Sequence, residues 1–273
     1  MFIYNHNKGR LGNSLFRLFA NIVFCINYDI NSHIFSEINY NNNFIITEKY
    51  FIDFMNKLIT GSYLQLDKID VNSKILFDGY YHHDAIFLKY KQEIINYILS
   101  HPELIIKTDR NNSYKAIDFI NYKINKKYNI VIHLRLEDFI DISQVIDPNY
   151  IKNIIDKINK EHNYQTICIV VNKPTTELEN KYINFFTKQY SNIIIESNDV
   201  VTDYTIMRES NILVCSCSTL SWAAAILSNS LEKVYMPNYK NDGSNQTCKY
   251  PHPNTELYEI NTCNINELKN ILL

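Results

Sequence analysis

Short runs of unbroken apolar residues alternate along this chain with longer segments whose apolar positions recur at helical spacing. Residues 2–4 (Phe-Ile-Tyr) predict a strand and residues 5–10 a loop. From Leu11 onward Leu15, Leu18, Phe19, Ile22, Val23 and Ile26 fall three and four apart, which predicts a helix. Strand, glycine-bearing loop and helix open an α/β unit. A second short strand at 75–77 ends at Asp78-Gly79, a helix covers 87–99, and Ser100-His101-Pro102 ends it. The Asn-rich stretch 38–43 predicts a surface loop.

Past residue 128 the alternation becomes regular. Strands are predicted at 130–134, 166–171, 193–195, 212–215 and 233–236, and helices at 148–158, 177–189, 204–209 and 221–227. Strands of continuous Ile and Val between amphipathic helices belong to a parallel sheet covered on both faces. Residues 109–127 are polar and basic without a long apolar block, and they predict a linker. The pattern therefore gives an α/β chain of two domains, 1–120 and 121–273, a division that 273 residues can support.

Composition narrows the function. With 46% hydrophobic and 21% charged residues and a formal net charge of −2, the chain is neither a disordered tail nor a polycation built for nucleic acid. Only five of the 27 basic residues are Arg, and there are 5 Gly and 1 Trp, against abundant Asn, Ile, Lys and Tyr. An AT-rich coding sequence produces this skew, so each Gly, Arg or Trp that remains marks a position with a physical need for it. The six cysteines are scattered through apolar runs without a CxxC pair, which predicts buried thiols in a reducing compartment. The first residues lack a basic-then-apolar leader and no apolar window approaches about 18 residues, so a cytoplasmic protein without a membrane segment is expected. Oligomeric state is not legible.

Three places carry chemistry. In Gly9-Arg10-Leu11-Gly12-Asn13-Ser14-Leu15-Phe16, Gly12 and Asn13 stand where a strand-to-helix turn presents backbone N–H groups to an anion; Asn13 could equally be a plain helix cap. In His133-Leu134-Arg135-Leu136-Glu137-Asp138-Phe139, period two puts His133 and Arg135 on one face at the carboxyl end of a strand, where open α/β sheets bind ligands. Arg135 there suits a phosphate, and the alternative is a structural Arg135–Asp138 pair. Lastly, Ser218, Thr219 and Ser221 open a helix with small alanines behind them, an arrangement that suits a diphosphate or supplies ordinary caps. His82-His83 lacks a third ligand at metal spacing, and no Asp-x-Asp clamp or phosphate-loop lysine motif occurs, so no metal site is predicted.

Taken in order, these segments resemble the α-1,2-fucosyltransferases, glycosyltransferase family 11 of the metal-independent fucosyltransferase superfamily. The family's Gly-Gly-Leu-Gly-Asn-Gln-x-Phe loop is similar to Gly9–Phe16, with Arg10 and Ser14 as departures. Its Gly-Tyr-Phe-Gln segment resembles Gly79-Tyr80-Tyr81-His82, and its His-x-Arg-Arg-x-Asp-Tyr resembles His133–Phe139. Its Asp-Leu-x-Leu-Met and Asn-Ser-Ser/Thr-Phe-Ser-Trp-Trp segments resemble Asp203–Met207 and Cys217–Trp222.

The resemblance implies a GT-B fold, two Rossmann-like halves with a nucleotide-sugar donor held mostly by the C-terminal one. It implies an inverting, metal-independent transfer of L-fucose from GDP-fucose to a glycan hydroxyl, galactose O2. Arg135 would bind the β-phosphate, with Asp138 beside it. Gly12, His133, Asp203, Ser218, Thr219 and Ser221 would bind the donor, Asn13 would face the reacting sugar, and Tyr80 and His82 would lie on the acceptor side. Leu136 stands where the family has its second arginine; one lost charge-assisted hydrogen bond costs roughly 1.5–3 kcal/mol. That loss admits another nucleotide-deoxysugar donor, such as a rhamnose donor. A silent nucleotide- or glycan-binding module is the third reading.

Overall fold

Strands 130–134 and 167–171 are buried along their whole length, as unbroken Ile and Val require when helices cover both faces of a sheet. The computed structural model describes residues 2–5, 9–27, 33–35, 43–59, 74–163, 165–239 and 249–273. The chain forms two units, Met1–Asn121 and Tyr122–Leu273.

In the first unit the elements run β1 (Phe2–Asn5), α1 (Leu11–Asn27), β2 (His33–Phe35), β3 (Asn43–Thr47), α2 (Glu48–Ile59) and β4 (Lys74–Asp78). They continue as α3 (Asp84–Lys89), α4 (Lys91–Ser100), β5 (Ile105–Lys107), β6 (Ser113–Lys115) and α5 (Asp118–Asn121). The described strands of its main sheet lie in the order β2-β1-β4-β3, all parallel. Its core is aromatic. Phe16, Phe19, Phe51, Phe77 and Phe87 are fully buried, and their rings meet edge-on or tilted 5.6–5.9 Å apart at Phe16–Phe19, Phe16–Phe87 and Phe19–Phe87.

The second unit runs β7 (Ile130–Leu134), α6 (Asp138–Asp141), β8 (Val145–Ile146), α7 (Pro148–Glu161), β9 (Ile167–Val171), α8 (Glu177–Thr187) and β10 (Ile193–Glu196). Then come α9 (Val200–Glu209), β11 (Ile212–Val214), α10 (Thr219–Leu227), β12 (Lys233–Tyr239), β13 (Thr255–Ile260), β14 (Thr262–Cys263) and α11 (Ile265–Ile271). Its six described main-sheet strands are parallel in the order β10-β9-β7-β11-β12-β13. Successive strands β7, β9 and β10 step one way and β11, β12 and β13 the other, which is the Rossmann order, so the direction switches between β7 and β11. Caps fix the helix starts: Asp147 with Pro148 for α7, the Thr176/Glu179 capping box for α8, and Asp199 for α9.

Three expectations are revised. The linker expected at 109–127 contains the division between the two units, but its first part belongs to the first unit: β6 pairs with β5, α5 follows, and the Asp109 N–H donates to the Gly9 carbonyl at 3.4 Å. A polar face on short elements mimics a linker in sequence. The single helix expected at 87–99 is two helices broken at Tyr90, whose hydroxyl donates to Asn27 Oδ1 at 3.0 Å. Of the loop expected at 38–43, residues 38–42 lie outside the described residues and Asn43 begins β3.

Candidate functional site

The switch between β7 and β11 brings two turns together. His133, near the end of β7, is buried, and its Nδ1 pairs with Ser216 Oγ at 2.9 Å in the turn after β11. Burial lowers the His133 pKa from 6.5 to about 4, so at neutral pH the ring is uncharged and acts by hydrogen bonding. The same turn is held from behind by Trp222, whose indole N–H donates to the Ser216 carbonyl at 2.9 Å, and by Tyr258, whose hydroxyl donates to the Cys215 carbonyl at 2.7 Å. The lone tryptophan therefore shapes the site without lining it.

Beyond β7 the chain turns sharply. Ile130, Ile132, Leu134 and Leu136 all pack into the core of this unit, which leaves His133 and Arg135 on the alternate positions. Arg135 is mostly buried; its Nη2 lies 3.0 Å from Asp138 Oδ1 and 3.4 Å from Glu137 Oε2, and its guanidinium sits 5.7 Å from the Phe139 ring centre. Both ionic contacts use Nη2, and Nε and Nη1 make no hydrogen bond among the described residues. Arg135 thus has the Asp138 partner expected of a structural pair and a free donor edge as well. A small hollow adjoins it, lined in part by Leu136, Phe139, Tyr182, Ser216 and Cys217.

Ser218 is the N-cap of α10 and makes no side-chain capping bond, and Thr219 is the first helical residue. Their hydroxyls and the first N–H groups of α10 stand just after the Ser216–Cys217 turn. Ser221 is a correction: it is fully buried, and its hydroxyl donates back to the Ser218 carbonyl at 2.9 Å, so it packs the helix start and offers nothing to a ligand. Asp203 lies within α9, also buried, and its Oδ1 accepts from the Asn198 N–H at 3.1 Å and Asn198 Nδ2 at 3.2 Å. Burial raises its pKa to about 6, more than the Asn198 bonds lower it.

The first unit gathers its own candidates. Gly12 and Asn13 lie in the first turn of α1, so Asn13 is inside the helix and not its cap. Asn13 Oδ1 pairs with His82 Nε2 at 3.1 Å, across the β1/β4 boundary where that sheet also switches direction. The His82 ring stacks on Tyr80 at 5.6 Å and meets Phe16 edge-on at 5.0 Å; Tyr80 itself is exposed. Gly9 has φ +83°, and a Cβ there would meet Asn13 Nδ2 at 2.6 Å, so glycine is required for the Asn13 amide to lie where it does. Among the described residues no group of three His, Cys, Asp or Glu is placed to hold a metal ion, and no helix is long and apolar enough to cross a membrane.

Sequence reasoning misses Ser216 and Glu179, while Glu137 stands within the motif it selects. Ser216 neighbours the selected Cys217–Trp222 segment, and only the sheet order brings its turn to His133. The signal for Glu179 was its capping-box spacing from Thr176, which speaks of a helix start and conceals a second contact.

No protein-family model matches the chain, and no curated protein matches it by sequence. Among solved structures it is similar to the E. coli heptosyltransferase WaaC with ADP, at a TM-score of 0.50 and 10% sequence identity, over 98% of this chain and 95% of that one. It is also similar to a mutant of Arabidopsis thaliana FUT1 in complex with GDP, at a TM-score of 0.48 and 11% identity, over 90% of this chain and 72% of that one. The chain thus has the GT-B type of fold found in glycosyltransferases.

Proposed function

We propose that this protein is an inverting, metal-independent glycosyltransferase of the α-1,2-fucosyltransferase type, which transfers L-fucose from GDP-fucose to a glycan hydroxyl, galactose O2. The observation that carries the reading is the free Nε/Nη1 edge of Arg135 at the β7/β11 switch point, next to the uncapped start of α10. Ligands of doubly wound sheets bind at such a point, outside the carboxyl ends of the strands. The ADP in the similar heptosyltransferase structure agrees with a nucleotide-sugar donor.

In this reaction the acceptor hydroxyl oxygen attacks the anomeric carbon as the bond to the diphosphate oxygen breaks, the hydroxyl proton is released to solvent, and the anomeric configuration inverts. Negative charge grows on the leaving diphosphate. Arg135 and the α10 N–H groups, with Ser218 and Thr219, stabilise it as a divalent cation does elsewhere. Asp138 orients Arg135. His133, neutral and enclosed, fixes the Ser216 turn, and the Asn198–Asp203 turn serves the base and ribose. In the first unit Gly12 and Asn13 address the reacting sugar, and His82 and Tyr80 serve the acceptor.

Leu136 favours a second donor reading. The residue that replaces the family's second arginine is 2% exposed and packed in the core, so no second cation reaches the phosphates from that position. A donor screen over GDP-, ADP- and UDP-sugars with excess chelator decides. Turnover with GDP-fucose alone supports the first reading and turnover with a different deoxysugar the second. Binding without turnover identifies a silent module, and a strict Mg²⁺ requirement overturns the mechanism.

A further inference from the structure

Glu137 has φ +35° and ψ −119°, a left-handed conformation that a side chain bearing a Cβ adopts at a cost, in the two-residue step between Arg135 and Asp138. Something must hold it there. Its N–H donates to Glu179 Oε1 at 3.1 Å, and Asn172 Nδ2 donates to its Oε1. Glu179 is 2% exposed and lies on α8, after a different strand of the sheet. Its other oxygen, Oε2, accepts four bonds: the N–H groups of Thr175 at 2.7 Å and Thr176 at 2.8 Å, and both threonine hydroxyls at 3.1 Å. Burial pushes this carboxyl up, but the four donors bring its pKa below the ordinary value, so it is a carboxylate with both oxygens accepting.

We propose that Glu179 is a positioning residue of the diphosphate site: one oxygen is anchored in the α8 capping box and the other clamps the strained Glu137 turn, which fixes the direction of Arg135. The inference rests on the reading of Arg135 as the diphosphate ligand. It assigns Glu179 a role beyond the capping box, because a cap needs the Oε2 side alone. The carboxylate joins the turns after β7 and β9, two neighbouring strands, into one rigid lip.

Glutamine separates the two functions. Four donors at Oε2 require an oxygen there, so the amide of Glu179→Gln keeps the cap and turns its NH₂ toward the Glu137 N–H, donor against donor. Thr176→Ala does the reverse, weakening the cap while leaving Oε1 on Glu137. Calorimetric titration with GDP, ADP and UDP, with chelator present, compares wild type, Glu179→Gln, Thr176→Ala and Arg135→Ala, each also melted. Glu179→Gln is expected to weaken the best-bound nucleotide at least fivefold. Thr176→Ala is expected to lower the melting temperature by a few degrees and keep affinity within twofold of wild type. The inference is overturned if Glu179→Gln binds as wild type, or if Thr176→Ala loses as much affinity as Glu179→Gln, the mark of a merely structural role. Wild type binding none of the three, or Arg135→Ala binding as tightly as wild type, overturns the Arg135 reading itself and the inference with it.

Discussion

His133 Nδ1 and Ser216 Oγ lie 2.9 Å apart and join β7 to the turn after β11 at the point where the sheet changes direction. The ring is enclosed, so its folded pKa is about 4 against an ordinary 6.5. Below pH 6.5 the unfolded chain takes up a proton that the folded ring refuses, and stability falls as pH drops from 6.5 towards 4, by up to about 3 kcal/mol. Asp203 has the opposite sign. Its folded pKa of about 6, against 3.8, means the folded state holds the extra proton, so stability rises as pH falls from 6 towards 3.8. Melting temperatures from pH 4.5 to 8 should therefore show His133→Gln gaining on wild type as the solution is acidified. Asp203→Asn should hold its greatest advantage near neutral pH and lose it in acid. Profiles parallel to wild type would count against both assignments.

Arg135→Ala should reduce transfer by roughly 100- to 1,000-fold, the loss typical of removing one preorganised charge-stabilising group. Arg135→Lys keeps the charge and loses the fork, and should fall between. Far-UV circular dichroism should match wild type for both variants. An active Arg135→Ala enzyme contradicts the mechanism.

Gly9→Ala should destabilise the first unit by roughly 1–2 kcal/mol, the cost of a left-handed residue with a Cβ. It should also displace the Asn13 amide from His82. Part of the loss comes from the clash with Asn13. Added to Asn13→Ala, the same substitution should cost less than it does alone, which a double-mutant cycle in urea measures. Strict additivity would show that Gly9 answers to backbone conformation alone.

Placing an arginine at position 136 by Leu136→Arg should not strengthen nucleotide binding. Leu136 is buried in the same apolar cluster as Ile132, Leu134 and Ile140, and an unpaired guanidinium there should cost several kcal/mol. A large fall in melting temperature is expected. A stable variant with tighter nucleotide affinity would show that the turn can expose residue 136.

Helices α7, α8 and α10 and strands β7, β9 and β11 were legible because burial on both faces demands continuous Ile and Val, and burial on one face demands helical spacing. The sequence pattern does not reveal β13 because in Thr255–Ile260 the aliphatic residues Leu257 and Ile260 stand three apart, neither a continuous apolar run nor a period of two; its pairing with β12 decides it. The start of α9 was read four residues late, at Tyr204 instead of Val200, although the Asp199 cap was in plain view. Ser221 and Ser218 are alike in sequence, three residues apart. Only packing assigns one hydroxyl to the helix interior and leaves the other without a capping bond.

By itself the sequence determined the α/β pattern and singled out the rare Arg, Gly and Trp positions, because apolar periodicity and residue scarcity are local properties of the chain. Tertiary structure decided which of these residues meet. Strand order set β7 beside β11 and so paired His133 with Ser216. The carboxylate of Glu179, 42 residues beyond Glu137, reaches back to hold the Arg135 turn. Such contacts span elements remote in sequence, and no local pattern encodes them, since they depend on how strands are ordered in a sheet.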